Sequence, residues 1–235
     1  MAELNCISSI KALTKAYYRF ESGALTTDSS GNGHTLTNVN GCTEQAGKFG
    51  GGAGLVRASN QVFTVAHHAD FNIGTSPFTV GLWLKRSSVG AIYCGLIAKV
   101  DVDTTGFRFD ISAGNTLDLT CFDPAGTDTV LTTETISDAN LHFAVAVRDG
   151  SKLRIYIDGV QCYNTANDNA RNIDNADVPF TIGAYRSNDL INHIFDGIID
   201  DAFLINGLAL TPTQILRLYS GGCDLSSGMI AFFMH

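Results

Sequence analysis

Apolar residues recur at alternate positions from one end of the chain to the other, the spacing that places side chains on one face of a β-strand. In FTVGLWLK, Phe78, Val80, Leu82 and Leu84 share one face, and Thr79, Gly81, Trp83 and Lys85 share the other. Phe143, Val145 and Val147 alternate with small alanines, and Leu153, Ile155 and Ile157 alternate with Arg154, Tyr156 and Asp158. GFRFDIS, TLDLTCF, TVLTTET, PFTIGAY and IFDGIIDDAFLI read as further strands. Turn residues separate these runs about every ten residues, the rhythm of a sandwich or barrel. Asp158-Gly159, between LRIYI and VQCYN, predicts a two-residue hairpin.

One helix interrupts the pattern. LTPTQILRLYSGG offers Thr211 as N-cap, Pro212 at the first helical position and Gly221 near the stop. Ile215, Leu216 and Leu218 are its apolar contacts, expected to lie against a sheet edge or rim. No Pro/Ser-rich linker divides the chain, so residues 16–221 read as one domain between an N-terminal arm (1–15) and a C-terminal apolar tail (222–235). The fold class is all-β, a two-sheet antiparallel sandwich with one short C-terminal helix.

Composition supports that pattern. Among 235 residues, 45% are hydrophobic and 16% charged, enough apolar material for a substantial core. The net charge of -8 comes from 19 Asp against 4 Glu, and Asp favours turns and caps where Glu favours helices. A net-negative chain is a poor match for nucleic acid, whose affinity comes mainly from Lys and Arg on phosphates. The N-terminus shows no basic region followed by an apolar run, and no 18-residue apolar stretch exists. The expectation is therefore cytoplasmic synthesis without a membrane span. Six cysteines, Cys6, Cys42, Cys94, Cys121, Cys162 and Cys223, lack any C-x-x-C pair and are expected to be free and mostly buried.

The order AYYRFESGA, DSSGNGHTLTNVNG, GKFGGG, FTVGLWLK, LHFAVAVRDGSKLRIYIDGVQ and FDGIIDDAFLINGLALTPTQI resembles the laminin G-like jellyroll family of the concanavalin A-like lectin/glucanase superfamily. The resemblance covers about residues 16–219 and implies a jellyroll sandwich. Three features depart from the family pattern. Leu141 replaces a usual Trp, Phe203 and Ile205 replace a common Arg and Tyr, and Asp201 replaces a common Glu.

The stretch DSSGNGHTL (28–36) has neither the lysine nor the following helix of a phosphate cradle. Two readings remain: a solvated turn capped by Asp28, or an oxygen-rich calcium loop. The resemblance implies a structural Ca²⁺ held by Asp28, carbonyls around Asn32 to His34, and Asp200. The resemblance also implies that catalytic members carry an E-x-D-x-x-E strand motif. The four glutamates, Glu3, Glu21, Glu44 and Glu134, form no such motif, so the chain is read as a non-enzyme. Asp101 and Asp103 in VDVD read as a loop, and no G-x-S-x-G elbow occurs. Adjacent His67 and His68 point to opposite strand faces and cannot easily share an ion, whereas His34, His142, His193 and His235 show no ligating spacing. Trp83 and Cys162 are read as buried.

Function is read as recognition of a glycan or a protein through sandwich loops, stabilised by calcium, which is how the resembled fold is commonly used. The alternative is an assembly role, as in a virion surface or capsid decoration subunit or a homo-oligomer. That role would dock through the apolar tail residues Ile230, Phe232 and Phe233. A glycoside hydrolase is the remote third.

Overall fold

The computed structural model describes residues 10–90, 92–101, 105–187 and 190–221. Its strands are β1 (Thr14–Tyr18), β2 (Thr37–Val39), β3 (Thr43–Ala46), β4 (Gly51–Leu55), β5 (Val62–Val65) and β6 (Phe78–Arg86). They continue as β7 (Cys94–Val100), β8 (Gly106–Ile111), β9 (Thr116–Asp123), β10 (Gly126–Thr135), β11 (His142–Arg148) and β12 (Lys152–Ile157). The last are β13 (Val160–Asn167), β14 (Phe180–Ile182), β15 (Tyr185–Ser187), β16 (Leu190–Asn192) and β17 (Gly197–Asn206), followed by helix α1 (Pro212–Tyr219). An eight-stranded sheet runs β13-β12-β11-β6-β17-β4-β3, with β1 also on β17. A seven-stranded sheet runs β10-β9-β8-β7-β14-β5-β2, and β15 and β16 form a separate hairpin. All strand pairs are antiparallel, the jellyroll sandwich read from the sequence.

The inter-sheet core takes one side of each alternating strand: Phe78, Val80, Leu82 and Leu84 from β6, Phe107 and Phe109 from β8, and Leu117 and Leu119 from β9. In β11 the faces divide differently. The small Ala144 and Ala146 enter this core, while Phe143, Val145 and Val147 join a second apolar cluster on the outer face of the eight-stranded sheet. Trp83, Phe203 and Ile205 also belong to that cluster, and α1 covers it through Ile215 and Leu218. Trp83, 2% exposed, stacks on Tyr219 with ring centroids 5.5 Å apart, so it is buried as expected, on the outer rather than the inner face.

Three expectations need correction. Helix α1 lies over a sheet face instead of an edge, because the large β11 and β17 side chains need a cover. Leu216, 51% exposed, points away from that face. Residues 10–15 are no free arm: Ile10 is buried in the outer cluster, Leu13 packs on it, and Thr14 opens β1. Thr211 caps α1 as read, and Gln214 completes a capping box with it, its N–H donating to the Thr211 hydroxyl. Asp158 and Gly159 both take positive φ, as a two-residue hairpin turn demands. Cys42, Cys94, Cys121 and Cys162 are free and buried; Cys6 and Cys223 lie outside the described residues.

Strand β17 closes the sandwich. It pairs with β6 along its length, with β4 at Gly197–Ile199 and with β1 at Ala202–Ile205. The neighbour changes at a bulge between Asp200 and Phe203, where Asp201 takes a φ of 47°. Phe203 fills the space over Gly81, where an added Cβ would sit 2.6 Å from its ring. Phe203→Ala is expected to lower unfolding free energy by about 3–5 kcal/mol in denaturant melts; an unchanged midpoint would contradict this packing.

Candidate recognition face

The loop around Asp28 is built by its carboxylate. Oδ1 accepts the N–H groups of Tyr17 (3.2 Å) and Ser30 (2.9 Å), and Oδ2 accepts the Ser30 hydroxyl (2.9 Å) and the His34 N–H (3.0 Å). Asn32 turns its amide NH₂ to the Thr14 and Lys15 carbonyls. The His34 carbonyl accepts the Tyr18 hydroxyl at 2.8 Å. Asp200 performs a parallel task elsewhere: Oδ2 accepts the Lys48 and Phe49 N–H groups, and Oδ1 accepts the N–H of Asp201. Burial pushes the Asp200 carboxyl above its ordinary range, opposed by those N–H donors.

These four residues do not fit a calcium ion. Calcium needs converging oxygens, whereas here N–H and O–H donors converge on each carboxylate. Asp28 and Asp200 both flank the β1–β17 pair, yet their hydrogen bonds share no partner. The apolar tail residues Ile230, Phe232 and Phe233 lie outside the described residues.

A different set of chemistry-bearing residues collects on the outer face of the seven-stranded sheet. Alternation in β8 and β9 sends Phe107, Phe109, Leu117 and Leu119 inward and leaves Arg108, Asp110 and Asp118 on the opposite face. Asp110 and Asp118 are direct cross-strand partners, an arrangement that sets like charges face to face. Asp110 is 0% exposed, and neither of its oxygens has a hydrogen-bond partner among the described residues. Arg108 Nε lies 3.4 Å from Asp110 Oδ1. Burial, partly countered by Arg108, pushes both carboxyls above the ordinary range, Asp118 to about 6.

The β15–β16 hairpin and the loop ending at Tyr93 lie over this pair. The Arg108 guanidinium sits over the rings of Tyr185 (5.2 Å), Phe122 (5.3 Å) and Tyr93 (6.0 Å). Tyr185 stacks on His193 at 4.3 Å, and Tyr93 meets His193 edge-on at 6.4 Å. Gly95 allows the close approach, since a Cβ there would lie 2.3 Å from the Ala184 carbonyl carbon. The Gly95 N–H donates to the carbonyl of His193, which holds a positive φ of 52°. Burial and Arg108 lower the His193 pKa, opposed by a ring hydrogen bond to the Tyr93 backbone, so the ring is neutral at physiological pH, with its N–H engaged by Tyr93 and its other nitrogen an acceptor. Around this centre the exposed apolar side chains concentrate on the same segments: Val89, Ile92 and Tyr93 from one loop and Ile191 from β16. Val56 adjoins Arg57, which binds Ile194 and Cys94.

A laminin G-type model described as the Concanavalin A-like lectin/glucanases superfamily matches residues 57–216. The chain belongs to that superfamily. A comparison with curated proteins gives no match. Among solved structures, this superfamily member is similar to the binding domain of Paraclostridial Mosquitocidal Protein 1, with a TM-score of 0.74 and 20% identity over 90% of this chain and 53% of that one. It is similar to Domain 4 of AbnA, a GH43 extracellular arabinanase from Geobacillus stearothermophilus, in complex with arabinotriose (TM-score 0.63, 20% identity, 88% and 98% covered). It is also similar to the binding domain of Botulinum Neurotoxin DC in complex with SialylT (TM-score 0.71, 14% identity, 90% and 52% covered). The chain thus spans about half the length of the toxin binding domains it matches. At these identities the likeness shows the fold.

The Asp110/Asp118 pair escaped the sequence reading, which sought glutamates in one strand; FRFDI and LDLTCF carried the signal as charges alternating within apolar runs. A glycosidase needs two carboxylates that reach the scissile bond and a water. Asp110 and Asp118 are both buried, so neither meets a substrate in this arrangement.

Two outcomes follow for stability. Asp28→Ala strands backbone N–H groups and is expected to cost about 2–3 kcal/mol, equally in calcium and in chelator; a penalty seen only with calcium would restore the ion. The folded state keeps the Asp110/Asp118 protons to higher pH than the unfolded chain does. Their stability contribution is therefore greatest below the ordinary carboxylate range and is lost as pH rises through the folded pKa, about 6 for Asp118. Asp118→Asn is expected to raise Tm at neutral pH and to flatten the fall between about pH 4 and about pH 6. An unaltered pH–Tm slope would contradict the buried pair.

Proposed function

We propose that this protein is a non-catalytic recognition module that binds a glycan on the outer face of its seven-stranded sheet, around Tyr93 and His193. The observation that carries the reading is the construction there. Tyr93, 41% exposed, offers an aromatic surface beside a neutral imidazole, with Tyr93 over the half-buried Arg108 and the imidazole stacked on Tyr185, which also lies over Arg108. Such a pairing suits sugars, whose C–H faces pack on aromatic rings while their hydroxyls seek directional donors and acceptors. Similar structures support this class, since one holds arabinotriose and another SialylT.

A second reading, a protein ligand, is favoured by Val89, Ile92 and Ile191, exposed aliphatic side chains on the segments that carry Tyr93 and lead to His193. One similar binding domain is in complex with rat synaptotagmin II. Calcium has no part in either reading, because the carboxylates assigned to it are engaged by N–H donors. An assembly or virion role rests on the tail, outside the described residues.

A glycan array followed by calorimetry tests the proposal. Specific hits are expected, with Tyr93→Ala weakening the best of them by about 2 kcal/mol, roughly 30-fold. Arrays without hits, or affinity indifferent to Tyr93→Ala, would refute the glycan reading. Binding of a protein that Tyr93→Ala or Ile92→Asp abolishes would support the second.

A further inference from the structure

Apart from the recognition face, His34 from one loop converges with two side chains of a later turn, His68 and Asp70. His34 sits in the 28–36 loop and is fixed before any ligand arrives. Its N–H donates to Asp28, its carbonyl accepts from Tyr18, and its ring lies 4.7 Å from that of Phe71. His68 precedes a single 3₁₀ turn, Ala69–Phe71, and its Nδ1 accepts the Asp70 N–H at 3.2 Å. Asp70 Oδ2 is 2.8 Å from His34 Nε2 and 3.3 Å from His68 Nδ1. The three ligand-type atoms all lie within 4.8 Å of one another.

His68 Nδ1 has one in-plane lone pair, which either accepts the Asp70 N–H at 3.2 Å or turns to a cation beside Asp70 Oδ2, 3.3 Å away. Ligation through Nδ1 therefore exchanges the Asp70 N–H bond for a metal bond and leaves that exposed N–H to water.

We propose that His34 Nε2, His68 Nδ1 and Asp70 Oδ2 form a binding site for a divalent transition-metal ion of the zinc type. Two imidazoles and one carboxylate are a borderline donor set, suited to zinc and its neighbours and unsuited to calcium, which takes oxygens only. Bonds of about 2.0–2.2 Å in a tetrahedron put ligand atoms roughly 3.4 Å apart, close to the spacings present. On binding, the ion displaces the proton between His34 and Asp70, and the exposed side at His68 leaves a position for water. The site ties the 28–36 loop to the Ala69–Phe71 turn, and the Asp28 contacts act as its outer support by fixing His34. This inference is independent of the glycan reading, whose residues lie elsewhere.

Zn²⁺ titration of the full chain by calorimetry, with Co²⁺ absorption as a spectroscopic readout, decides the matter. One equivalent is expected to bind and to raise Tm. Affinity should fall at least about tenfold in His68→Ala and in Asp70→Asn, and stay unchanged in His67→Ala. His68 is more than half exposed, so its replacement tests ligation without threatening the fold. The Co²⁺ adduct should show the intense visible bands of a low-coordinate site, lost in His68→Ala. No binding at millimolar zinc, or equal affinity and spectra in His68→Ala, would overturn the site.

Discussion

Strand β17 is the constraint on which the rest depends. It is held by backbone hydrogen bonds to β6 on one side and to β4 and then β1 on the other, and it is buried on both faces. Ile199, Ala202 and Leu204 enter the inter-sheet core, while Phe203 and Ile205 enter the cluster under α1. A strand that is apolar on both faces needs a layer on each, and α1 with residues 10–13 supplies the outer one. The Asp200–Asp201 bulge marks where β4 gives way to β1, so the chain's beginning and end become neighbours through it.

Much of this fold was legible in the sequence. Strands β6, β8, β9, β11, β12 and β17, the Asp158-Gly159 turn and the Thr211 cap each carry a local signal, whether period two, a positive φ requirement or a capping box. Other elements carry none. Strand β3, TEQA, is exposed throughout and has no apolar side to reveal it, while β7, CGLIAKV, is buried on both faces and so does not alternate. Period two reveals that two faces differ but not which is the core, and β11 shows the consequence. Its alanines face the opposite sheet and its large side chains face the helix.

The candidate recognition face was less legible because it is assembled across distance. Arg108, Asp110, Asp118, Tyr185 and His193 come from four segments, and only the sheet register and the β15–β16 hairpin bring them together. The DSSGNGH motif shows the converse failure. Its residue types suited a calcium loop, yet the chain uses the Asp28 carboxylate to gather N–H groups and so to fix His34. A carboxylate in a glycine-rich loop fits both uses, and the direction of the neighbouring amides separates them.

The central claim is that ligand meets this protein on the face where Tyr93 and His193 sit over Arg108, and not on the Asp28 loop or α1. Hydrogen–deuterium exchange with and without a glycan identified by array tests that location directly. The account predicts slowed exchange confined to residues 87–95 and 185–194. Protection centred on residues 28–36 or on α1, with those segments unchanged, would contradict it.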